Sequence, residues 1–241
     1  MTKAGIMQPY FLPYMGYWQL IANVDIFVLY DTIQYTKKGW ITRNRFLLNG
    51  KDEVFSVPVM AASSLLEVKD RELDPNFDRK KLIRRFEGAY AKAPYFKENF
   101  PIIEEIILSP VTNLFLYIEN SVHKICSFLE INAKIIRSSA LNESQSGLKG
   151  QERVIDICRG LGADQYINPI GGIELYDEAS FGKEKIHLEF LRSIPLVYEC
   201  FGRPCIPHMS ILDVMMFNPR DEIIKGLSGY VLESGEQSER R

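Results

Sequence analysis

Residues 3–45 read KAGIMQPYFLPYMGYWQLIANVDIFVLYDTIQYTKKGWITRNR, and this stretch predicts how the rest of the chain is arranged. Ala4 to Met7 is a short apolar run that predicts a buried strand. Tyr17 to Val24 is predicted as a short helix, and Ile26 to Tyr30 as a second strand that is almost wholly apolar. Such a run is typical of a central strand covered on both faces. The stretch therefore predicts a strand–loop–helix–strand unit with a right-handed crossover.

Polar side chains follow both of these predicted strands directly. Gln8 and Tyr10 come after the first strand, and Asp31 and Gln34 come after the second. In an open α/β sheet, ligands bind in the crevice beyond the carboxyl ends of the strands. We therefore expect these four side chains to line a ligand site. The alternative is an aromatic core with rigid turns, to which the same residues would belong.

Asp31 is the carboxylate that this pattern singles out as a catalytic candidate. It follows an apolar strand, where a carboxylate has no evident packing purpose. It could act as a general base, hold a hydroxyl group of a ligand, or be only the partner of a nearby cation. The sequence leaves these three interpretations open.

A cationic segment comes next along the chain. Its members are Lys37, Lys38, Trp40, Arg43, Asn44 and Arg45. Arg can bind a phosphate or carboxylate through two parallel hydrogen bonds, so Lys38, Arg43 and Arg45 are predicted to hold an anionic group of the substrate. Asn44 is predicted to be a further substrate-binding residue. The alternative for the two lysines is a solvated turn.

The same segment opens a predicted antiparallel extension of the sheet. Arg43 to Leu48, Glu53 to Val59 and Leu65 to Val68 are predicted as three successive strands. Asn49-Gly50 is a strong signal for a two-residue hairpin between the first two. Because side chains alternate along a strand, Arg43 and Arg45 share one face.

The middle of the chain, from about residue 75 to 130, is predicted to be helical. Apolar residues recur at helical spacing in Phe77 to Tyr90, Tyr95 to Leu108 and Val111 to Glu130. The basic residues at 80–81 and 84–85 could bind a phosphate or a membrane, or form a solvated helix face. We expect this helical segment to pack on the sheet or to cap the site.

Further strand ends follow in the second half. Lys134 to Arg137 is a predicted strand, and Gly147, Lys149 and Gly150 precede a predicted helix from Gln151, which gives either an anion-binding loop or an ordinary flexible one. Gln165 to Asn168 is another strand. Asn168, Gly171 and Gly172 are predicted to line the opposite wall of the site, because glycine allows close backbone approach. Ile186 to Leu191 is predicted as a half-exposed edge strand.

The last part of the chain supplies the remaining candidates. Ser210 is a good N-cap, with Asp213 three residues later, for a helix through Phe217, and both are predicted to cap the pocket. His208 lies in a proline-flanked loop before that helix. Among the three histidines of the chain it is the best acid–base candidate.

Composition narrows the classes of function. The chain has 241 residues, with 46% hydrophobic and 25% charged residues and a formal net charge of -2, which argues against nucleic acid as the main partner. No apolar run approaches the length of a membrane span and no signal-peptide pattern is present, so we expect a cytoplasmic protein. No Gly-x-Gly-x-x-Gly pattern follows the first strand, which argues against a nicotinamide enzyme, and no particular cofactor is indicated.

The four cysteines do not form a disulfide framework typical of a small secreted domain. They are predicted to be reduced and metal-free. Cys200, Cys205 and His208 could be three metal ligands, but their spacing is not that of a known zinc site and no fourth ligand is evident. Buried structural cysteines are the preferred interpretation.

Three segments resemble the WbqC-like protein family. They are MQPYFLPYMGYWQLIANVDIFVLYDTIQYTKKGWITRNR at 7–45, GADQYINPIGGIELYD at 162–177 and PHMSILDVMMFN at 207–218. The resemblance implies a bacterial protein associated with O-antigen, other surface-polysaccharide or secondary-metabolite gene clusters. It also implies a role in modifying an amino sugar by acyl or aminoacyl transfer. No set of catalytic residues comes with it.

Together these observations predict one α/β domain over residues 1–233, with a mostly parallel, Rossmann-like open sheet, an antiparallel hairpin extension and a helical insertion. Residues 234–241 are predicted to form a flexible tail. The first functional hypothesis is a transferase acting on a sugar nucleotide or another phosphorylated small molecule. The second is a non-catalytic ligand-binding or scaffold protein of a biosynthetic complex. No oligomeric state follows from the sequence.

Overall fold

The fold is taken from a computed structural model that describes residues 1–141 and 147–234. The predicted flexible tail, except for Ser234, and part of the predicted anion-binding loop lie outside these ranges. The strands are β1 (Lys3–Met7), β2 (Ile26–Leu29), β3 (Arg43–Leu48), β4 (Lys51–Ser56), β5 (Lys134–Arg137), β6 (Gln165–Pro169), β7 (His187–Ser193), β8 (Glu199–Cys200), β9 (Arg203–Pro204) and β10 (Tyr230–Glu233). The α-helices are α1 (Met15–Ala22), α2 (Arg79–Tyr90), α3 (Phe96–Ile107), α4 (Leu114–Phe128), α5 (Gly150–Gly160), α6 (Glu178–Lys183), α7 (Ile211–Phe217) and α8 (Arg220–Gly226).

A six-stranded sheet in the order β10-β7-β6-β1-β2-β5 forms the centre. The five strands from β7 to β5 are parallel, and β10 runs antiparallel along β7. From β1 the chain moves outward through β2 to β5, and it then returns to the other side of β1 as β6. The point where the direction of winding reverses therefore lies between β1 and β6. The predicted Rossmann-like α/β fold with a mostly parallel sheet is confirmed.

Both faces of the sheet are covered, as the apolar character of β2 predicts. Phe27 and Leu29 face a large apolar cluster that contains buried residues of α1, α3, α4 and α7. Val28 faces a second cluster, to which α5 and α6 contribute residues such as Val154 and Phe181. Successive side chains of a strand point to opposite faces, so one short apolar strand serves both clusters.

The predicted hairpin is confirmed, and it forms a separate two-stranded sheet of β3 and β4. Leu48 pairs with Lys51, which leaves Asn49 and Gly50 as the two turn residues, with φ of 53° and 77°. Positive φ at both positions is what a type I′ turn requires, and Asn-Gly adopts it readily. Phe46 and Phe55 then pack on Phe86 of α2, which anchors the hairpin to the helical segment.

The prediction of a third strand in this extension, at Leu65 to Val68, is wrong. The segment makes a single bridge between Gln34 and Glu67 and continues as a 3-10 turn at Val68–Asp70. Its backbone bonds go to the chain just after β2: the Val68 amide donates to the Ile33 carbonyl at 2.8 Å. These partners follow β2 rather than β4, so the segment cannot extend the hairpin.

Ile186 to Leu191 is not an edge strand, because β10 pairs along the outer side of β7. The apolar residues Leu188, Phe190 and Leu191 are buried accordingly. β10 itself was not predicted, because a run of four residues is too short for its local pattern to identify it as a strand.

The prediction that all four cysteines are reduced is also wrong. Cys200 and Cys205 form a disulfide with a Cα–Cα distance of 5.2 Å, within the usual range. β8 and β9 make a small hairpin that brings them together. Cys126 and Cys158 are free and buried, and burial raises the pKa of each thiol to about 12, so both are unreactive at neutral pH.

Of the helices within 1–141 and 147–234, none has the length and apolar character needed to cross a bilayer.

Candidate functional site

The carboxyl ends of the parallel strands bring the predicted strand-end residues to one edge of the sheet. Gln8 follows β1, Asp31 follows β2, and Asn168 lies near the end of β6. Gln8 and Gly171 are exposed there, on either side of the reversal between β1 and β6. This is the position at which open α/β sheets leave a crevice for a ligand.

On the β6 side of this edge, Asn168 is only 6% exposed. Its side chain accepts a hydrogen bond from the Tyr166 hydroxyl at 2.9 Å and donates to the Pro169 carbonyl at 3.0 Å. A Cβ at Gly172 would overlap Asn168 Nδ2 and lie 3.3 Å from its Cγ, so glycine leaves the room that the asparagine occupies. A Cβ at Gly171 would meet nothing within 4 Å. Gly171 therefore faces open space, while Gly172 serves the packing of Asn168.

Asp31 is buried and has hydrogen-bond partners of its own. Its carboxylate accepts from the Ser138 hydroxyl at 2.7 Å, from the Ser139 amide at 2.9 Å and from the Ser139 hydroxyl at 2.5 Å. These serines directly follow β5, the strand beside β2. The expectation that this carboxylate has no structural purpose is wrong, since it joins the ends of two strands that are distant in sequence.

Two cations lie near Asp31, but each is held by another carboxylate. Lys69 pairs with Glu67 at 2.7 Å and Arg137 pairs with Glu119 at 2.6 Å. The pKa of Lys69 and that of Arg137 are raised chiefly by these hydrogen bonds, with a smaller contribution from the charge of Asp31. The interpretation of Asp31 as a mere ion-pair partner is therefore weakened, because its nearest partners are hydroxyl and amide groups.

The loop after β1 is held by two of the predicted site residues. The carbonyl of Leu12, a residue with φ of 47°, accepts from Asn44 Nδ2 at 2.6 Å and from the Ser210 hydroxyl at 2.7 Å. Both donors are buried. Tyr10 lies against Tyr17, with ring centroids 5.7 Å apart. Asn44 and Ser210 therefore shape the loop that carries Gln8 and Tyr10, and Ser210 also caps α7 through the Leu212 amide.

The two arginines of β3 differ in what they contact. Arg45 bonds Asp52 at 3.0 Å and the carbonyls of Pro207 and His208 at 3.3 and 3.1 Å. Among the residues that the structure describes, Arg43 donates only to the carbonyl of Lys38, at 3.4 Å. Arg45 is thus tied into the structure, whereas Arg43 keeps most of its donors available.

Within the described part of the chain, the side chains of Lys37, Lys38 and Arg43 have no carboxylate partner. Their segment lies beside the β1 loop, because the Phe11 amide donates to the Ile41 carbonyl at 2.9 Å. The segment that carries Lys38 and Arg43 therefore runs next to the loop that follows β1. Gln34 is exposed in the same region.

His208 lies apart from Asp31. It is exposed, has φ of 58°, and its ring meets Tyr14 edge-on at 5.8 Å. Together with Ser193, at the end of β7, it lines a shallow groove. β7 and β2 are three positions apart in the sheet, which at ~4.8 Å per strand separates their ends by about 14 Å. The two acid–base candidates therefore belong to different parts of the edge.

Asp213 lies in the interior rather than in the crevice. It is 1% exposed and accepts hydrogen bonds from the hydroxyls of Tyr90 at 2.7 Å and Tyr198 at 3.0 Å. Burial raises the pKa of Asp213 above its ordinary value of 3.8, and the tyrosine hydrogen bonds only partly oppose this rise. The Leu47 amide bonds the Tyr90 hydroxyl at 2.8 Å, so Asp213 links α7, α2 and the hairpin.

Cys200, Cys205 and Asp213 have potential metal-ligand atoms within 4.8 Å of one another. The two sulfurs are joined in the disulfide, which leaves the carboxylate as the free ligand of this group. A site for a metal would need both thiolates, so the disulfide and metal binding exclude each other here.

A separate depression of about 350 Å³ lies between α5 and α6, lined by residues that include Glu152, Arg159 and Lys183. It contains none of the strand-end candidates.

α5 begins at Gly150 with Lys149 before it, and Gly147 and Gly150 have φ of 112° and 54°. The anion-binding loop proposed from the sequence at this helix start remains a prediction, because residues 142–146 lie outside the described ranges.

The sequence analysis missed Ser138 and Ser139 as members of the site. They follow a predicted strand directly, which is the signal that identified Gln8 and Asp31. It also missed Lys69 and Arg71, since the segment that carries them was predicted as part of a strand and its loop rather than as a turn beyond β2.

Comparison with known proteins gives two matches. The sequence profile of the family described as "WbqC-like protein family" matches residues 8–225. The chain is also 29% identical over 225 residues to the "Uncharacterized protein Rv1507c" of Mycobacterium tuberculosis, an alignment that covers 90% of this chain and 94% of the relative. No solved structure matches the chain.

Proposed function

The chain belongs to the WbqC-like protein family, and on that premise we propose that it is a transferase acting on a sugar nucleotide or another phosphorylated small molecule. The resemblance in sequence supports a role in bacterial surface-polysaccharide (O-antigen) or secondary-metabolite biosynthesis. Acyl or aminoacyl transfer to an amino sugar is the reaction that it favours. The residues of the crevice support the substrate class more directly than the reaction.

The proposal is supported by the polar strand ends on either side of the reversal between β1 and β6, together with the cationic segment beside the β1 loop. Gln8 provides an exposed amide group for sugar hydroxyls, and Gly171 allows a ligand to approach the backbone. Lys38 and Arg43, which have no carboxylate partner in the described ranges, provide donors for a phosphate. An anionic ligand with a polar, hydroxyl-rich body fits this combination.

We assign the role of base to Asp31, acting through Ser139. Ser139 is exposed and its hydroxyl donates to the buried carboxylate at 2.5 Å, so a proton from an acceptor amine or hydroxyl can pass to Asp31 through it. His208 would act on a group bound in the groove beside Tyr14, at the β7 side of the edge. Asn44, Ser210 and Asp213 support the site by holding the loop and helix around it.

The difference between Arg43 and Arg45 gives the test of the binding site. Arg43→Ala should weaken binding of a sugar nucleotide by ~1.5–3 kcal/mol, the range for a charge-assisted hydrogen bond, with little change in melting temperature. Arg45→Ala should mainly lower the melting temperature, because Arg45 bonds Asp52 and two carbonyls. Calorimetric titration of both variants with nucleotides and sugar nucleotides measures the two affinities and tests this difference. Equal affinity of wild type and Arg43→Ala for every ligand would refute this site.

A second candidate, a non-catalytic ligand-binding or scaffold protein, is favoured by one observation. Asp31 is engaged with Ser138 and Ser139 and lies far from His208, so these two described candidates do not form an acid–base pair. A measurement of turnover distinguishes the two candidate functions. Asp31→Asn should reduce turnover by roughly 10²-fold or more if Asp31 is a general base, while ligand binding survives. Absence of any product by mass spectrometry across donor and acceptor panels, with intact binding, would favour the scaffold.

A further inference from the structure

Arg71 is a buried cation that has no counter-ion within residues 1–141 and 147–234. It directly follows the 3-10 turn Val68–Asp70 and is 3% exposed. Arginines are rarely buried to this extent unless they are paired. Arg153, which is 6% exposed, pairs with Asp156 at 3.6 Å, whereas no carboxylate of residues 1–141 or 147–234 pairs with Arg71.

The contacts of the Arg71 guanidinium provide acceptors for only some of its N–H donors. One terminal nitrogen, Nη2, donates to the Ser63 carbonyl at 2.6 Å, and the group lies over the Tyr35 ring at 4.7 Å from its centroid. Nε is buried and has no hydrogen-bond partner among the residues that the structure describes. A guanidinium carries five N–H donors in a planar fork, and here the Nε donor lacks an acceptor while the charge faces only a neutral carbonyl and an aromatic ring. Burying a charge in this way is unfavourable.

The position of Arg71 connects it to the strand-end crevice. The backbone before it runs alongside the chain that leaves β2: the Lys69 amide donates to the Asp31 carbonyl at 3.2 Å, and the Tyr35 amide donates to the Leu66 carbonyl at 3.3 Å. The Tyr35 hydroxyl bonds the Thr42 hydroxyl at 2.9 Å, at the end of the cationic segment. Arg71 therefore lies beyond the carboxyl end of β2, on the side where Lys38 and Arg43 are found.

The segment that covers Arg71 is weakly packed. Residues 60–65 are exposed throughout, including the apolar side chains of Met60 (48%) and Leu65 (73%). Its link to Arg71 is the Ser63 carbonyl, a neutral acceptor for a charged donor. An oxyanion is a stronger acceptor than a carbonyl, and it can bond two guanidinium nitrogens at once.

We propose that Arg71 binds a phosphoryl group of the ligand, with residues 60–65 as the movable cover of this position. The phosphate supplies the missing counter-charge and bonds the guanidinium in place of the Ser63 carbonyl, while Tyr35 keeps the guanidinium plane oriented. This inference deepens the proposed function and rests on it for the identity of the molecule that carries the phosphate. The ligand class it names is a phosphate mono- or diester rather than a neutral sugar or a free carboxylate.

The test uses calorimetric titration and melting temperatures with inorganic phosphate, pyrophosphate and, as a carboxylate probe, acetate. Wild type should bind pyrophosphate and gain melting temperature, with little response to acetate. Arg71→Met should weaken this binding about 10- to 100-fold, the effect of losing a charge-assisted hydrogen bond. Its ligand-free melting temperature should equal or exceed that of wild type, because the uncompensated charge is gone. Arg71→Lys keeps the charge and should also bind more weakly, since it lacks the planar fork.

Arg192→Met is the matched control. Arg192 lies on β7, three strands away from β2 in the sheet, and is paired with Glu233 at 2.7 Å. It should bind pyrophosphate as wild type does. The inference is overturned if both Arg71 variants bind pyrophosphate with wild-type affinity, or if acetate binds as tightly as pyrophosphate. It is also overturned if Arg71→Met lowers the ligand-free melting temperature well below that of Arg192→Met and leaves affinity unchanged, which would make Arg71 a structural clamp.

The same titrations separate this inference from the proposed function. If sugar nucleotides bind wild type and the Arg71 variants equally but Arg43→Ala weakly, the role of Arg71 is refuted and the proposed function stands. If pyrophosphate binding depends on Arg71 but no sugar nucleotide binds, the role of Arg71 stands and the proposed function is refuted. If wild type binds no phosphorylated ligand at all, both are refuted.

Discussion

Asp31 accepts its three hydrogen bonds from two serines that follow the neighbouring strand, β5. The same contacts fix the end of β2 and place an exposed hydroxyl, that of Ser139, next to a buried carboxylate. A role in the fold and a role in proton transfer are therefore compatible for this residue. The sequence identified Asp31 by its position at a strand end, but it could not identify the serines as partners, because they lie more than a hundred positions away.

We predict that Asp31→Ala lowers the free energy of unfolding by about 2–6 kcal/mol, because the buried Ser138 hydroxyl and the partly buried Ser139 amide lose their acceptor at about 1–3 kcal/mol each. Urea unfolding of the variant measures this loss. Glu104→Ala, which removes an exposed carboxylate of α3, is the control and should change stability by less than about 0.5 kcal/mol. A loss as small as that of the control would mean that Asp31 does not hold the strand ends together.

Asp213 leads to a prediction about pH. Burial raises its pKa above 3.8, so the folded protein binds this proton more tightly than the unfolded chain does. The stabilisation that this proton provides is fully present below pH 3.8 and is lost as pH rises through the raised pKa. The free energy of unfolding of wild type minus that of Asp213→Asn should therefore fall as pH increases from below 3.8 towards neutrality. The fall is about 1.4 kcal/mol for each tenfold difference in proton affinity between the folded and unfolded chains.

Urea unfolding of both proteins across this pH range measures the difference directly, and other titrating groups cancel in it. A difference that stays constant or grows with pH would show that the tyrosine hydrogen bonds outweigh burial. In that case Asp213 would be ionised in the folded state with an ordinary or lowered pKa.

At the scale of elements, the sequence predicted what depends on local pattern. The hairpin was predicted because Asn49-Gly50 adopts the two positive φ values of its turn, and β2 because an apolar run of that length suits a strand with two covered faces. Leu65 to Val68 was predicted wrongly, since its partners after β2 are a tertiary feature that no local pattern shows. β10 was missed for the same reason: four residues become a strand only because β7 offers them an edge.

The 3-10 turn that follows β6, Ile170–Leu175, contains a matched pair of glycines for a test of the crevice wall. We predict that Gly172→Ala lowers the free energy of unfolding by about 1–3 kcal/mol, because its Cβ displaces the Asn168 side chain from the Tyr166 hydroxyl. Gly171→Ala should change stability by less than about 0.5 kcal/mol, since its Cβ meets nothing within 4 Å. Both are read from chemical denaturation, and equal effects of the two substitutions would contradict this role of Asn168.

At the scale of the whole molecule, the order of the strands decides which candidates can act together. Parallel strands bring Gln8, Asp31 and Asn168 to one edge, which the sequence predicted from strand ends alone. It could not predict that Asp213 points into the interior or that Arg45 is tied to Asp52, because both depend on how α7 and the hairpin pack. It also gave no indication of Arg71, whose importance follows from burial rather than from sequence pattern.

The central claim is that a phosphorylated small molecule binds at the carboxyl edge of the sheet, between β1 and β6. The structure of the protein in complex with a sugar nucleotide tests it most directly. We expect the ligand to contact Gln8 and the backbone at Gly171, with its phosphates at Arg43 and Arg71. A ligand bound in the depression between α5 and α6, or anywhere that leaves Gln8, Gly171 and Arg43 untouched, would contradict the claim.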